Sequence, residues 1–212
     1  MSAIVITGTD TDVGKTVVAA GLAACIPGAL YWKPVQAGTE GGTDSERVCA
    51  LSGLEPERML PEVYRFTTSA SPHLAAWIDG VTIKQSNLHI PYTAGPLVIE
   101  GAGGVLVPLT ETLTMADLFV QWHKPVILVA RTALGTINHC LLSIEALRAR
   151  AVPVGGIIFS GDAHEETERT VPLMHGVPSF GRLPRLDPLT PAALRRAVED
   201  NLDLVAIASL LA

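Results

Sequence analysis

Short, unbroken apolar runs at residues 3–7, 29–33, 97–100, 126–130 and 154–159 alternate along the chain with segments whose apolar residues recur at helical spacing. A weaker apolar run precedes Gly181. Unbroken runs, as opposed to in–out alternation, are what strands covered on both faces present. The helical spacing predicts helices at 15–25, 44–51, 72–78, 115–123, 137–150, 165–175 and 191–201. Strand–helix alternation of this kind predicts an α/β fold, a doubly wound, mostly parallel sheet flanked by helices. Residues 81–95 show no period, carry Pro91 and Gly95, and read as a surface excursion. No repeat, low-complexity tract or charged linker interrupts the pattern, which predicts one domain over residues 1–212. Trp32, Trp77, Trp122 and Phe119 read as core.

Composition narrows the partners. A chain of 212 residues can bury a sizeable core. The 15 basic and 21 acidic residues leave a formal charge of −6, against the basic face that a nucleic acid or an anionic membrane requires. Mean hydropathy is high at +0.36. Yet the longest apolar stretch, residues 17–32, is broken by Gly21, Pro27 and Gly28, so no membrane span is expected. The opening Met1-Ser2-Ala3-Ile4-Val5-Ile6 lacks the basic region and cleavage site of a secretory signal. Cys25, Cys49 and Cys140 have no metal or redox spacing and read as buried thiols. A cytoplasmic protein is expected.

The chemistry collects where the apolar runs end. The first is followed by Gly8-Thr9-Asp10-Thr11-Asp12-Val13-Gly14-Lys15-Thr16 and then a helix. Such a turn aims backbone N–H groups at phosphate oxygens, and the helix adds its positive end. Lys15 would bridge the terminal phosphates and the Thr16 hydroxyl would ligate Mg2+. The usual motif has four residues before Gly-Lys-Thr; here five separate Gly8 from Gly14. The context predicts a P-loop NTPase-like fold.

In open α/β sheets ligands bind beyond the carboxyl ends of the strands. The second run ends at Lys33-Pro34-Val35-Gln36-Ala37-Gly38, and Lys33 is either a cleft residue or a solvated strand end. Asp44, after Thr43, is either a helix cap or a magnesium ligand. Glu100 terminates a buried run and precedes Gly101-Ala102-Gly103-Gly104. A carboxylate there is costly unless it is paired or metal-bound, so Glu100 is a ligand candidate or a salt-bridged structural group. Ser71-Pro72-His73 reads as a cap, a first-turn proline and a histidine that could touch substrate. In Leu134-Gly135-Thr136-Ile137-Asn138-His139, Thr136 reads as a cap and Asn138 as a group able to serve an anion.

Together these motifs resemble the dethiobiotin synthetase family, over the chain's start to about residue 160. The five-residue gap in the loop is itself typical of that family. The resemblance implies ATP-dependent carboxylation and cyclisation of 7,8-diaminopelargonate. CO2 (or bicarbonate) yields a carbamate, ATP converts it to a carbamic–phosphoric anhydride, and the second amine closes the ureido ring, releasing ADP and phosphate. It assigns Lys15, Lys33, Thr11 and Asp12 to catalysis, and Thr16, Asp44 and Glu100 to Mg2+. The nucleotide would lie on Asp12, Val13, Gly14, Lys15, Thr16, Val17, Glu100, Gly103, Ser160, Leu183 and Pro184. The substrate would lie on Thr11, Lys33, Ala37, Ser71, Gly135 and Asn138. A homodimer is implied, with Asn138 serving the partner's site.

Two positions depart from the family. Ala37 stands where relatives often carry a hydroxyl, and Ser160 where many carry an adenine-reading Asn. Three other readings compete. A ParA-like partner-switching ATPase would carry a lysine at the place of Asp10. An amidoligase relative usually has a fused glutaminase domain, for which this chain is too short. The third is an enzyme of this fold acting on another amine.

Overall fold

The computed structural model describes residues 2–212. Strand β1 (Ala3–Gly8) is buried along its whole length. Ala3 and Val5 pack into one apolar cluster with Ile99, Phe119 and Leu128. Ile4 and Ile6 pack into a second with Val18, Leu22 and Ile127. This two-sided burial is the physical reason for the unbroken apolar runs.

The other strands of the main sheet are β2 (Leu30–Trp32), β4 (Met59–Leu60), β6 (Leu97–Gly104), β7 (Val126–Arg131), β8 (Val154–Ser160) and β9 (Ser179–Leu183). They stand in the order β4-β2-β6-β1-β7-β8-β9, all in parallel pairs. Helices α1 (Lys15–Cys25), α2 (Asp44–Ser52), α7 (Pro191–Asn201) and α8 (Leu204–Ser209) cover one face. Helices α3 (Pro72–Ile78), α4 (Met115–Trp122), α5 (Thr136–Arg148) and α6 (Glu165–His175) cover the other. The chain order reverses around β1 and β6, which places a crevice at their carboxyl ends.

The run expected as one strand at 29–33 is cut after Trp32. Pro34 has no N–H to give a ladder, and its carbonyl instead accepts from Val63 and Tyr64 N–H at 2.9 and 3.0 Å. The chain then forms β3 (Val35–Ala37), which pairs in parallel with β5 (Tyr64–Phe66) in a separate two-stranded sheet. Neither three-residue strand is long enough to carry a period.

Burial corrects several expectations. Trp77 is 77% exposed and is not core: Pro72, Ala75 and Ala76 are the buried residues of α3. Trp32, Trp122 and Phe119 are buried as expected. Only Cys140 is a buried thiol, and burial pushes it up to about 11; Cys25 and Cys49 are half-buried. Residues 81–95 are irregular but anchored, because Leu88 is fully buried and its carbonyl accepts from Trp122 Nε1 at 2.7 Å. Among the described residues, no helix is long and apolar enough to cross a membrane.

Candidate nucleotide-binding cleft

The turn after β1 is shaped by backbone conformations that few side chains allow. Asp12 and Gly14 have φ of 56° and 100°. A Cβ on Gly14 would stand 2.5 Å from Ser160 Oγ, so only glycine fits there. Gly14 caps α1 without a side chain, and the first turn holds no acid. The helix N-terminus is therefore free to meet an anion.

Lys15 is 6% exposed, and its Nζ donates to the carbonyl of Asp10 at 2.7 Å across its own loop. Burial, and then the charge of Lys33, lower its pKa to about 8. The Asp10 carboxylate meets Arg131 at the end of β7, 3.1 Å away.

Behind Lys15 lies a buried ionic knot. Glu100 is wholly buried; it accepts from Tyr31 Oη at 2.9 Å and from Lys33 Nζ at 2.9 Å. Lys33, 3% exposed, also pairs with Asp44 at 2.5 Å. Burial opposes the Lys33 charge, but Glu100 and Asp44 outweigh it and raise its pKa. Burial likewise opposes the Asp44 charge; Lys33 outweighs it and holds the carboxyl below its ordinary value. The Thr16 hydroxyl lies 3.1 Å from Asp44 Oδ1 and 2.9 Å from Glu100 Oε1, and can donate to one at a time.

These contacts decide the open alternatives. Lys33 is not a solvated strand end: it lines the cleft, and it does so as the buried centre of an ion triple. Asp44 is not the cap: Thr43 and Glu46 form a capping box, and Asp44 turns inward from the first helical position. Thr16, Asp44 and Glu100 together offer one hydroxyl and two carboxylates, hard oxygen donors that suit Mg2+ shared with phosphates and water.

A cleft of about 600 Å3 opens over this knot, lined by Thr11, Asp12, Gly14, Lys15, Thr16, Val17, Lys33, Ala37, Asp44, Ser71, Glu100 and Gly103. Val13 is buried beneath the loop and offers only its backbone. Ser160 and Leu183 lie outside the cleft, paired at the ends of β8 and β9, with Pro184 following; Ser160 abuts Gly14. Gly135 and Asn138 are exposed and do not line the cleft of their own chain. Thr136 does not cap α5: Gly135 does, and the Thr136 hydroxyl is buried 3.8 Å from Cys140 Sγ. Ser71 occupies the cap position of α3, but its hydroxyl bonds His73 Nδ1.

Sequence reasoning overlooked four residues. Tyr31 stands two before Lys33, and strand period alone puts such residues on one face. Gln36 accepts from the Asp44 N–H at 3.1 Å through Oε1. Ser69 and Arg47 line the cleft, and Arg47 lies one helical turn beyond Asp44.

A Gly-Lys-Thr turn between a central parallel strand and its helix, facing a strand-borne carboxylate, defines a P-loop nucleotide-binding protein. A family model described as an AAA domain matches residues 2–193. The chain is 58% identical to an "ATP-dependent dethiobiotin synthetase BioD" of Rhodopseudomonas palustris (strain BisB18), over 93% of this chain and 94% of that one. It is 54% identical to a protein of the same name from Brucella melitensis biotype 2, covering 94% of each. The chain belongs to the ATP-dependent dethiobiotin synthetase family.

Among solved structures it is similar to a ParA family ATPase from Chlorobium tepidum TLS, with a TM-score of 0.56, 12% identity, and 99% and 93% of the two chains covered. A plasmid partition protein from Borrelia burgdorferi gives a TM-score of 0.58 at 11% identity, covering 99% and 97%. At such identity the likeness is one of fold alone, so the ParA-like alternative is not favoured over a family matched at more than half identity.

Proposed function

We propose the following division of labour for ATP-dependent dethiobiotin formation by this chain. Two anions, the triphosphate tail and a carbamate made from 7,8-diaminopelargonate and CO2, must meet in one cleft, and cations must offset their repulsion. The observation that carries the reading is the buried Lys33–Asp44–Glu100 triple lying beneath the same cleft that Lys15 and Thr16 line.

The turn of residues 12–17 cradles the phosphates with backbone N–H groups. Lys15 leaves the Asp10 carbonyl for the terminal phosphate, which restores the full charge that burial weakens. Lys33 holds both carboxylates in place and presents its positive field from beneath. Thr16, Asp44 and Glu100 would hold Mg2+, which supplies charge neutralisation at the phosphates. Thr11, Asp12 and Gly103 border the reacting groups, and Arg47 adds a cation at the rim. Ala37 has no hydroxyl to offer, so backbone amides serve on that wall. Ring closure needs little beyond holding the second amine against the activated carbonyl.

Gly135 and Asn138, exposed on their own chain, serve the substrate carboxylate of the other subunit in a homodimer. The reaction takes place in the cytoplasm. Purified protein given diaminopelargonate, bicarbonate and ATP is expected to release ADP, phosphate and a product heavier by one carbonyl less two hydrogens, read by mass spectrometry. ATP turnover without that product would point to another amine; no turnover at all would overturn the reading.

The base-reading end yields a further expectation. Ser160, Leu183 and Pro184 receive the nucleobase, and a hydroxyl at 160 selects less sharply than an amide, whose paired hydrogen bonds are worth about 1–3 kcal/mol. CTP and GTP are therefore expected to support turnover within about tenfold to a hundredfold of ATP. A larger preference for ATP in a four-nucleotide comparison would remove Ser160 from that role.

A further inference from the structure

We infer that His73 is a positioning residue that fixes the Ser71 hydroxyl as a neutral hydrogen-bond acceptor for an amine of the diamine substrate. The inference rests on the reading above, in which Ser71 borders the substrate.

The geometry begins with a cap that does not cap. Ser71 precedes α3, where a serine hydroxyl ordinarily accepts from the second or third helical N–H. Pro72 removes one of the first-turn donors, and the next, His73 N–H, is taken by the carbonyl of Pro108 at 3.3 Å. The Ser71 hydroxyl accepts from no helix N–H. Its hydrogen-bond partner among the described residues is His73 Nδ1, at 3.0 Å. The Pro108 contact pins the backbone that carries the imidazole, and Ser71 borders the cleft.

A serine has one proton and two lone pairs. With Nδ1 unprotonated, Ser71 spends its proton on the ring and keeps its lone pairs for an N–H donor. That suits a substrate amine. A carboxylate facing it would favour the ammonium form and suppress its attack on CO2 or on the activated carbonyl. A hydroxyl oriented by imidazole holds the amine without adding that charge. Two of the acidic groups lining the cleft are already engaged, Asp44 and Glu100 being tied to Lys33 and Thr16; the third, Asp12, belongs to the loop that bears Lys15.

The test is steady-state kinetics on full-length protein, varying diaminopelargonate at saturating ATP and then ATP at saturating diaminopelargonate. His73→Leu and Ser71→Ala should each raise the KM for the diamine about tenfold and leave the KM for ATP unchanged, a single lost hydrogen bond being worth about that factor. The double variant should be no worse than either single one. His73→Asn places Oδ1 where Nδ1 stood and should stay within about threefold of the parent, a residual smaller than one lost hydrogen bond. His73→Gln, which puts its polar end elsewhere, should resemble His73→Leu and replaces it should the leucine variant fail to fold. An unchanged diamine KM in His73→Leu or His73→Gln, multiplying effects in the double variant, or an asparagine variant as poor as the leucine one would each overturn the inference. Absence of product from the parent protein would instead overturn the reading on which it rests.

Discussion

Lys15→Ala is expected to lower kcat/KM for ATP by at least about a thousandfold, the scale of removing a cation aimed at a transferring phosphoryl group, while leaving the melting temperature unchanged or higher. The two halves of this expectation come from one fact. Lys15 is buried, lies near Lys33, and hydrogen-bonds a backbone carbonyl; burial and Lys33 outweigh the pull of Glu100, Asp44 and Asp12. Its folded pKa, about 8, lies below the ordinary 10.5. A cation depressed in this way costs stability at every pH below about 8, and the cost fades as pH rises towards 10.5. Removing it relieves that cost and deletes the group proposed to grip the nucleotide. Thermal melts with and without nucleotide check both: the variant should melt no lower than the parent and should lose the parent's nucleotide-dependent rise. A clear drop in the free protein would mean Lys15 is a structural residue.

Lys33→Ala should also abolish turnover, and should loosen the protein as well. Here the cation is the sole ammonium between two carboxylates, one wholly buried. Breaking a buried pair by deleting one partner costs about 3–5 kcal/mol, because the other charge stays behind. Adding Glu100→Gln removes the stranded charge and should recover most of the lost stability with no recovery of activity. Denaturant unfolding of the two variants decides: a single variant as stable as the parent would deny the ion triple its structural part. The pH limits follow in sign. Lys33, raised above 10.5, contributes stability that is full below that pH and is lost as pH rises through its folded value. Asp44, held below 3.8, contributes stability that is full above that pH and is lost on acidification through its folded value.

Much of this site was legible in the sequence because of where the apolar runs stop. A run buried on both faces ends at the rim of the sheet, so Gly8 and Lys33 had to emerge on one edge; Glu100, wholly buried, sits four residues before the end of β6 and reaches the same site from within the sheet. Partnership was not legible. Whether Lys33 meets water or Glu100 depends on a contact 67 residues away in the chain, and the usual surface preference of lysine pointed outward. Local rules misled where tertiary contacts outbid them. Ser71 and Thr136 stand where hydroxyls cap helices, yet one is claimed by a histidine ring and the other faces a thiol. The glycines after Glu100 weaken a strand signal, yet β6 runs on to Gly104 because β1 is there to pair with it.

The break at Pro34 carries one more consequence. Immediately after Lys33 the chain is handed from the seven-stranded sheet to the small ribbon of β3 and β5, which bears Val35 and Ala37 and packs against α3. Lys33 is therefore a rivet at the seam between the floor of the cleft, proposed to hold the triphosphate, and the ribbon wall, proposed to face the diamine. Slack at that seam would be felt as a wider gap between two reactants that must touch, so altering Pro34 should slow the chemical step even with every charged group still in place.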